Sequence, residues 1–389
     1  MDNKMSVAFR KNIRQSVMVI ALALVIILFE FTTDGVLLKP LNISNLIMQN
    51  SYILILAIGM LLAILTGGNI DLSVGSVAGF IGAISAVMVV EMNVPVVIAI
   101  FASLLVGGII GVWQGYWIAY KGVPAFIATL AGMLVFRGLT LVILQGKSIA
   151  PMPDSYTFLA SGFIPDIFGG KNINILAVVL GIFASLIYVF VEYRKRENKK
   201  KYDFDVSSPM FFWLKLLGIV AVINAFTFLL ALYRGIPMVL VIVVILVSVY
   251  SYFTNKTIPG RHIYAFGGNA KAAKLSGVNV KRVLFWVYVN MSVLAAFAGI
   301  IFAGRLNSAT PKAGVNFELD AIAACFIGGA STTGGVGTIV GAIVGGLLMG
   351  VLNNGMSIMG VSIDWQQTIK GLVLLGAVAF DVYSKSKSK

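Results

Sequence analysis

The 389-residue chain is predicted to be an all-α polytopic membrane protein of about 10–12 transmembrane helices, with broken or re-entrant segments among them. Three observations carry the prediction. Hydrophobic residues make up 59% of the chain and charged residues only 11%, against about a quarter charged in soluble domains, and the mean hydropathy is +0.96. Apolar runs recur at lengths near the roughly 20 residues that carry a helix across about 30 Å of hydrocarbon. Those runs are continuous and lack the alternation of a membrane β-barrel, while lipid offers backbone amides no partner outside their own helix.

Spans are expected near residues 17–31, 51–66, 73–91, 94–119, 124–144, 173–193, 211–232, 236–254, 282–304, 319–331, 335–352 and 365–382, in one transmembrane domain covering 1–389. The first follows a basic start and imitates a signal peptide. No small-residue cleavage site follows "IILFEFTTDG", so it reads as an uncleaved helix. The tenth, 319–331, is short for a crossing.

Orientation follows from lysine and arginine. With the N-terminal segment 1–16 in the cytoplasm, the inside segments hold Lys4, Arg10, Lys11, Arg14, Lys121, Arg194, Lys195, Arg196, Lys199, Lys200, Lys201, Lys215, Lys256, Arg261, Lys271, Lys274, Lys281, Arg282, Lys385, Lys387 and Lys389. The outside loops hold only Lys39, Lys147, Lys171, Arg234, Arg305 and Lys312. This asymmetry puts both termini, including the tail 383–389, in the cytoplasm. The net charge of +14 then reports topology, and nucleic-acid binding is the poor reading. A single cysteine, Cys325, and a single histidine, His262, exclude an intrachain disulfide and a Cys/His metal cage.

Between two apolar runs lies "RHIYAFGGNAKAAKLSGVNVKR", 261–282, most of it in the inside loop 255–281. Asn269 is a competent N-cap, 270–276 is helix-forming, and Gly277 suits a left-handed C-cap. A helix of two turns is unstable alone in water and survives by packing on something. Ala270, Ala272 and Ala273 would let another protein's surface approach closely, with Lys271 and Lys274 at the rim. An ordinary capped loop helix explains the same residues, and both readings stay open.

The longer stretch "YAFGGNAKAAKLSGVNVKRVLFWVYVNMSVLAAFAGI", 264–300, resembles the coupling region of the permease subunits of bacterial monosaccharide ABC importers, the ribose, xylose and galactose group. Three further stretches agree in order: "ILAIGMLLAILTGGNIDLSVGSVAGF" (55–80), "GVPAFIATLAGMLVFRGLTLVI" (122–143) and "ELDAIAACFIGGASTTGGVGTIVGAIVGGLL" (318–348). The resemblance implies an ABC importer permease fold, a transport subunit rather than an enzyme, and a short helix docked in a groove of an ATPase subunit. Gly268, Asn269, Ala272, Ala273, Leu275 and Gly277 would make that contact. It further implies a second copy of the chain, with the path at the interface. A cytoplasmic subunit with two nucleotide-binding domains would hold ATP and Mg, leaving this chain without a cofactor. An extracytoplasmic binding protein would select the sugar and dock on the outside loops 33–50, 145–172, 305–318 and 354–364. The implied location is the bacterial inner or plasma membrane.

The residues point the same way on energy source. No G-x-x-x-x-G-K-[ST] is present, and "GGASTTGG" has no lysine to reach phosphates. Nor is there a series of intramembrane acids of the kind proton relays use, so a stand-alone secondary carrier or facilitator is the competing class.

Candidates for the path or gate come from polar groups at membrane depth. In "TGGNIDLSVGS", 66–76, Asn69, Asp71 and Ser73 either face the mouth of the path or close a capped tight turn. "IGGASTTGGVGTIVG", 327–341, repeats the design, which suggests an internal repeat. There Ser331, Thr332 and Thr333 offer hydroxyls to a sugar, while Gly341, Gly345, Gly346 and Gly350 suit close helix packing. Arg137 sits mid-span, where a charge costs about 2.5–3.5 kcal/mol unless paired or hydrated. Its expected partner is a carboxylate such as Asp71 or Asp320, or carbonyls at a broken helix, unless it snorkels to the interface. Asn290, Asn353, Asn354 and Gln366 are further polar groups for helix pairing or for the path.

Two extra apolar segments, in the insertion 173–232, separate this chain from the shorter ribose-type pattern. They flank the basic "YRKRENKKKYDFDVSSPMFF", which reads as a solvated anchor near anionic lipid. The longer layout looks like the xylose-type permeases and points to a pentose such as xylose. A nucleoside importer is the alternative within the class, because the binding protein makes much of the choice.

Overall fold

The computed structural model describes residues 18–386 except 171, 172, 203, 205 and 207. The expected cytoplasmic segment 1–16, Lys171 and residues 387–389 lie outside the described residues. The chain is a succession of helices. They are α1 (Met18–Thr32), α2 (Pro40–Leu65), α3 (Val74–Ala86, continued by a π-helical turn to Glu91), α4 (Val96–Ala119), α5 (Ala125–Leu144), α6 (Asp154–Ser161), α7 (Ile175–Lys201) and α8 (Pro209–Ala231). There follow α9 (Met238–Lys256), α10 (Ile258–Gly268), α11 (Ala270–Leu275), α12 (Val280–Leu306), α13 (Phe317–Ile327), α14 (Ile339–Ile358) and α15 (Ile363–Ser386). Among the described residues nine helices are long and apolar enough to cross a membrane: α2, α3 with its π turn, α4, α5, α7, α8, α9, α12 and α14.

α2 is the axis of the bundle. Its second half, "YILILAIGMLLAIL", is apolar on every side, and a helix apolar all round must be surrounded. Ile53 to Leu65 are accordingly buried. α12, α9, α14 and α13 pack on it, and α3 sits between α12 and α13. α4 lies outside α12, α5 outside α3, and α15 outside α13 and α14. Small residues bring α4 onto α12: a Cβ on Gly111 would stand 2.6 Å from Val289 Cα, so only glycine permits that approach. α7 and α8 pack mainly on each other and expose Phe183, Leu186, Leu217 and Val222, a surface suited to lipid.

Several boundaries differ from the expectation. α2 starts at Pro40, not near 51, because the polar residues before 51 find partners within the helix or on a neighbouring one. Asn42 and Asn354 exchange two side-chain hydrogen bonds, at 2.8 and 3.1 Å, and Asn50 donates to Leu46 O at 2.7 Å. Most of the expected outside loop 33–50 is therefore helix, and the loop 354–364 shrinks to the residues between α14 and α15. Asn354 and Gln366 are likewise structural, Gln366 donating to Val361 O at 2.9 Å. The basic "YRKRENKKK" continues α7 instead of forming a loop, supported by Lys195–Glu192 and Lys200–Glu197 pairs at 2.8 and 2.9 Å, the spacing that helical neighbours allow.

The segment expected at 319–331 is a short helix of 11 residues, about 16 Å long and roughly half the hydrocarbon thickness. Phe317 stacks on Tyr52 with ring centroids 4.1 Å apart, and Cys325 Sγ lies 3.3 Å from Ala57 O. α13 thus begins beside the middle of α2 and runs toward the end of the bundle that carries α11. α3 also begins inside the bundle, where a Cβ on Gly75 would stand 2.2 Å from Gly314 O.

Candidate functional site

α11 is built as its sequence dictates. The Asn269 side chain accepts from Ala272 N at 3.0 Å, the helix ends at Leu275, and Gly277 takes φ +87°, a region glycine enters without steric cost. Gly268, Ala272 and Gly277 are exposed, and Leu275 is 90% exposed. Such an apolar side chain, held out on a six-residue helix, has nothing of its own chain to cover it. Ala273 is different from the expectation: it is buried as α11 leans on α10 and α12, so Ala272 and Leu275 form the surface on offer.

α11 is joined to the bundle through a seam of three chain breaks. Gly335 N donates to Leu65 O at 3.0 Å, and Tyr264 OH donates to Gly337 O at 2.8 Å. A Cβ on Gly267 would stand 1.8 Å from Leu65 O and 2.4 Å from Gly335 N, and one on Gly68 would stand 2.1 Å from Thr332 O. No side chain fits at either position, so the end of α10, the end of α2 and the loop before α14 meet backbone to backbone. α10 therefore abuts α2 and the loop before α14 with no side chain between them.

Asn69, Ser331, Thr332 and Thr333 belong to this seam. Asn69 donates to Thr66 O at 2.8 Å. Ser331 and Thr333 hydroxyls bond each other at 2.9 Å, and Thr333 N donates to Ser331 Oγ at 3.2 Å. The Asn69, Ser331 and Thr333 side chains close turns.

Asp71 and Ser73 lie deeper. Both are fully buried at the start of α3. Asp71 Oδ1 accepts from Ser73 N at 2.8 Å and from Ser73 Oγ at 2.6 Å. Gln114 on α4 donates to Ser73 Oγ at 2.7 Å, and Leu72 N donates to Thr129 Oγ1 on α5 at 3.2 Å. Around this chain of bonds, Asp71 Oδ2, Gln114 Oε1, Tyr288 OH and Glu318 Oε2 are buried without a hydrogen-bond partner among the described residues. Buried polar atoms left unpaired cost about 1–3 kcal/mol each, so a group of them marks a place where water or a polar cargo belongs.

Arg137 borders the same region. It is half-buried on α5, and its charge acts on Glu318. The expected pairing with Asp320 does not form, because Lys370 on α15 takes that carboxylate at 3.0 Å. Nor is there an Arg137–Asp71 ion pair among the described residues; the bonded oxygen of Asp71 accepts from Ser73. Asn290 is elsewhere, accepting from Tyr250 OH between α12 and α9. Sequence reading passes over Gln114, Thr129, Tyr288, Glu318 and Lys370. A polar residue amid bulky aromatics, as in "GVWQGYW", and a second acid in "FELD" are the signals that would find two of them.

At the far end, residues 145–170 form a built cap. Ile149 and Ala309 exchange backbone bonds at 3.0 Å, and Met238 N donates to Gly162 O at 2.9 Å. Met152 N donates to Asn307 Oδ1 at 2.8 Å. Asp166 accepts from the backbone N–H groups of Phe168, Gly170, Ile175 and Leu176. Desolvation is the largest single influence on Asp166 and pushes it up, but the four N–H bonds together outweigh it and hold its carboxyl below the usual range.

The family model described as branched-chain amino acid transport system / permease component matches residues 42–378. The chain belongs to this permease family. It is a multi-pass transport permease and not an enzyme. The permease is 39% identical over 97% of its length to the xylose transport system permease protein of Haemophilus influenzae, covering 98% of that protein. It is 38% identical over 97% of its length to the Escherichia coli K12 counterpart, covering 94% of it. To the ribose import permease protein of Escherichia coli K12 it is 36% identical over 87% of its length, covering 85%. No solved structure matches it.

Proposed function

We propose that this permease is the membrane subunit of an ATP-driven importer that moves a monosaccharide, a pentose such as xylose, into the cytoplasm. The seam carries the reading: α11, with the exposed Leu275 at its tip, is locked through Gly267 and Gly335 to α2 and α14. Such a short exposed helix suits docking by an ATPase subunit with two nucleotide-binding domains, which holds ATP and Mg. Closure of those domains pushes on α11, and the seam passes the push to the buried group around Asp71 and Glu318. Alternation of that group between the two sides of the membrane is the transport step. The permease works as two copies with the path between them. The α11 end faces the cytoplasm, as do both termini, and the cap at 145–170 meets a sugar-binding protein outside. The similarity to xylose permeases over nearly the whole length supports the choice of sugar.

The test is sugar uptake in proteoliposomes, by the permease alone and then with the ATPase and binding protein, with and without ATP. Uptake only by the full set with ATP supports the reading, and uptake by the lone chain means a carrier. Leu275→Asp and Gly277→Arg are expected to abolish uptake and co-purification of the ATPase while the chain still inserts. Normal uptake by both would remove α11 from the coupling role.

A further inference from the structure

α9 and α12 both pack near the axis helix but diverge toward the α11 end, leaving a cavity of about 780 Å³. Leu62 of α2 forms its floor, and Val249, Tyr250 and Phe253 of α9 face Val283, Trp286 and Val287 of α12 across it. The cavity lies away from Arg137, Glu318 and Asp320, which sit where α5, α13 and α15 gather on the other flank of α3 and α2. Its rim helices present Val249 and Trp286, each 56% exposed, and Tyr252, 67% exposed. The opening is thus lateral, toward hydrocarbon.

The lining is graded along the membrane normal. At the α11 end stand His262 and Arg282, beside Gly277 and Asn279; Arg282 is exposed, with Lys281 exposed next to it. No acidic side chain is among the described residues that line the cavity. Eight residues up α12, about 12 Å by helical rise, Asn290 closes the deep end of the cavity, its Oδ1 held by Tyr250 OH. Between these levels the walls are apolar or aromatic, and Trp286 has the amphipathic ring that favours the membrane interface.

We propose that this cavity binds one anionic phospholipid of the adjacent leaflet, its phosphate at Arg282 and His262 and an acyl chain along Val249, Phe253 and Val287. A cationic end, with Lys281 exposed beside Arg282, and an apolar trough open sideways match the two parts of that molecule. A free phosphate would leave the trough empty, and a neutral sugar would leave the cations unused. Because Gly277 and Asn279 line the cavity and directly follow α11, an occupied site props the base of the coupling helix against α9. Only the name of the leaflet, cytoplasmic, rests on the proposed orientation; ATP-driven uptake stands or falls separately.

The experiment uses the full chain with Trp113, Trp117, Trp213 and Trp365 replaced by Phe, so that Trp286 alone reports. It is titrated in detergent with brominated phosphatidylglycerol or brominated phosphatidylcholine. The expected result is saturable quenching with severalfold preference for phosphatidylglycerol, falling about fivefold in Arg282→Gln, the scale of one basic residue at an anionic surface. A Val249→Phe filling variant is expected to lose saturable quenching by both lipids while eluting as the parent does. Equal quenching by the two lipids, an unchanged preference in Arg282→Gln, or no quenching by either, as when a second copy covers the mouth, would overturn the proposal. Relief of quenching by millimolar inorganic phosphate would assign the cations to free phosphate instead and overturn it as well.

Discussion

The loops at 66–73 and 328–338 invite comparison, because each follows an apolar helix, opens with paired glycines and leads through polar residues into a small-residue helix. They lie against each other, Gly68 on Thr332 and Gly334 on Gly67, and yet they do different things. The first leaves the end of a 26-residue helix and climbs back into the bundle, so Asp71 and Ser73 arrive buried at the start of α3. The second leaves α13, which itself begins inside, and turns at the surface into α14, where Thr338 Oγ1 caps the helix by accepting from Gly341 N at 3.0 Å. In one case the short path through the interior follows the break, and in the other it precedes it. Similar residues give the same local turn chemistry, while the length of the flanking helices decides how deep each loop sits.

The seam between the loops is where this comparison breaks most visibly. Gly68→Val would place its Cβ against Thr332 O, 2.1 Å away, at φ +78°. A loss above about 4 kcal/mol is expected, seen as loss of folded protein on size-exclusion chromatography and of uptake. Gly67→Ala, at φ +95° with nothing within 4 Å, meets only backbone strain of about 1 kcal/mol and should stay folded. Equal tolerance of the two would mean the loops are not in close contact.

Next in size is the helix that precedes the second loop. Lys370→Met leaves Asp320 unpaired, with its side chain only 9% exposed, at a cost of about 3 kcal/mol. Adding Asp320→Leu is expected to recover most of the thermal stability. Failure of the double variant to recover would show that Asp320 has a duty beyond holding α15.

A smaller and sharper contrast lies in the two loops' polar side chains. Asp71→Asn keeps the shape but removes the buried charge, and uptake by the assembled importer should fall about tenfold, some 1.4 kcal/mol, with ATP hydrolysis retained. Ser331→Ala removes a turn hydrogen bond worth about 1 kcal/mol and should leave uptake within about twofold. The reverse order would place the functional loop at 328–338.

The smallest effect is expected at the opposite end, where neither loop reaches. The depressed Asp166 carboxyl stabilises the cap above the ordinary carboxylate range and loses that contribution as pH falls through its lowered value. Amide protection, relative to the intrinsic exchange rate, should therefore be high in 162–170 and 173–176 at neutral pH and fall below about pH 4. In Asp166→Asn the protection should be lower at neutral pH and lose the pH step. A step that persists in the variant would assign it to another group.

How much could be read without the structure follows from range. Composition and run length are enough for an all-helical membrane bundle, because hydrocarbon leaves the backbone no alternative. The α11 cap at Asn269 and the left-handed Gly277 are also legible, since both interactions close within a few residues. The start of α2 is not, because Asn42 looks like a loop residue until Asn354, 312 positions away, supplies its partner. The site divides the same way. Asp71 and Ser73 are visible as polar residues in a glycine loop, but Gln114, Thr129, Tyr288 and Glu318 join them only when α4, α5, α12 and α13 are packed around α3. Lys370 displaces Arg137 as the partner of Asp320 for the same reason. Sequence alone determined that the chain is helical, that it breaks at the glycine loops 66–73 and 328–338, and how α11 is capped, because those are contests between neighbours along the chain. Tertiary structure alone decided which breaks meet and which polar groups are left unpaired inside, because both depend on side chains brought together from distant helices by apolar packing.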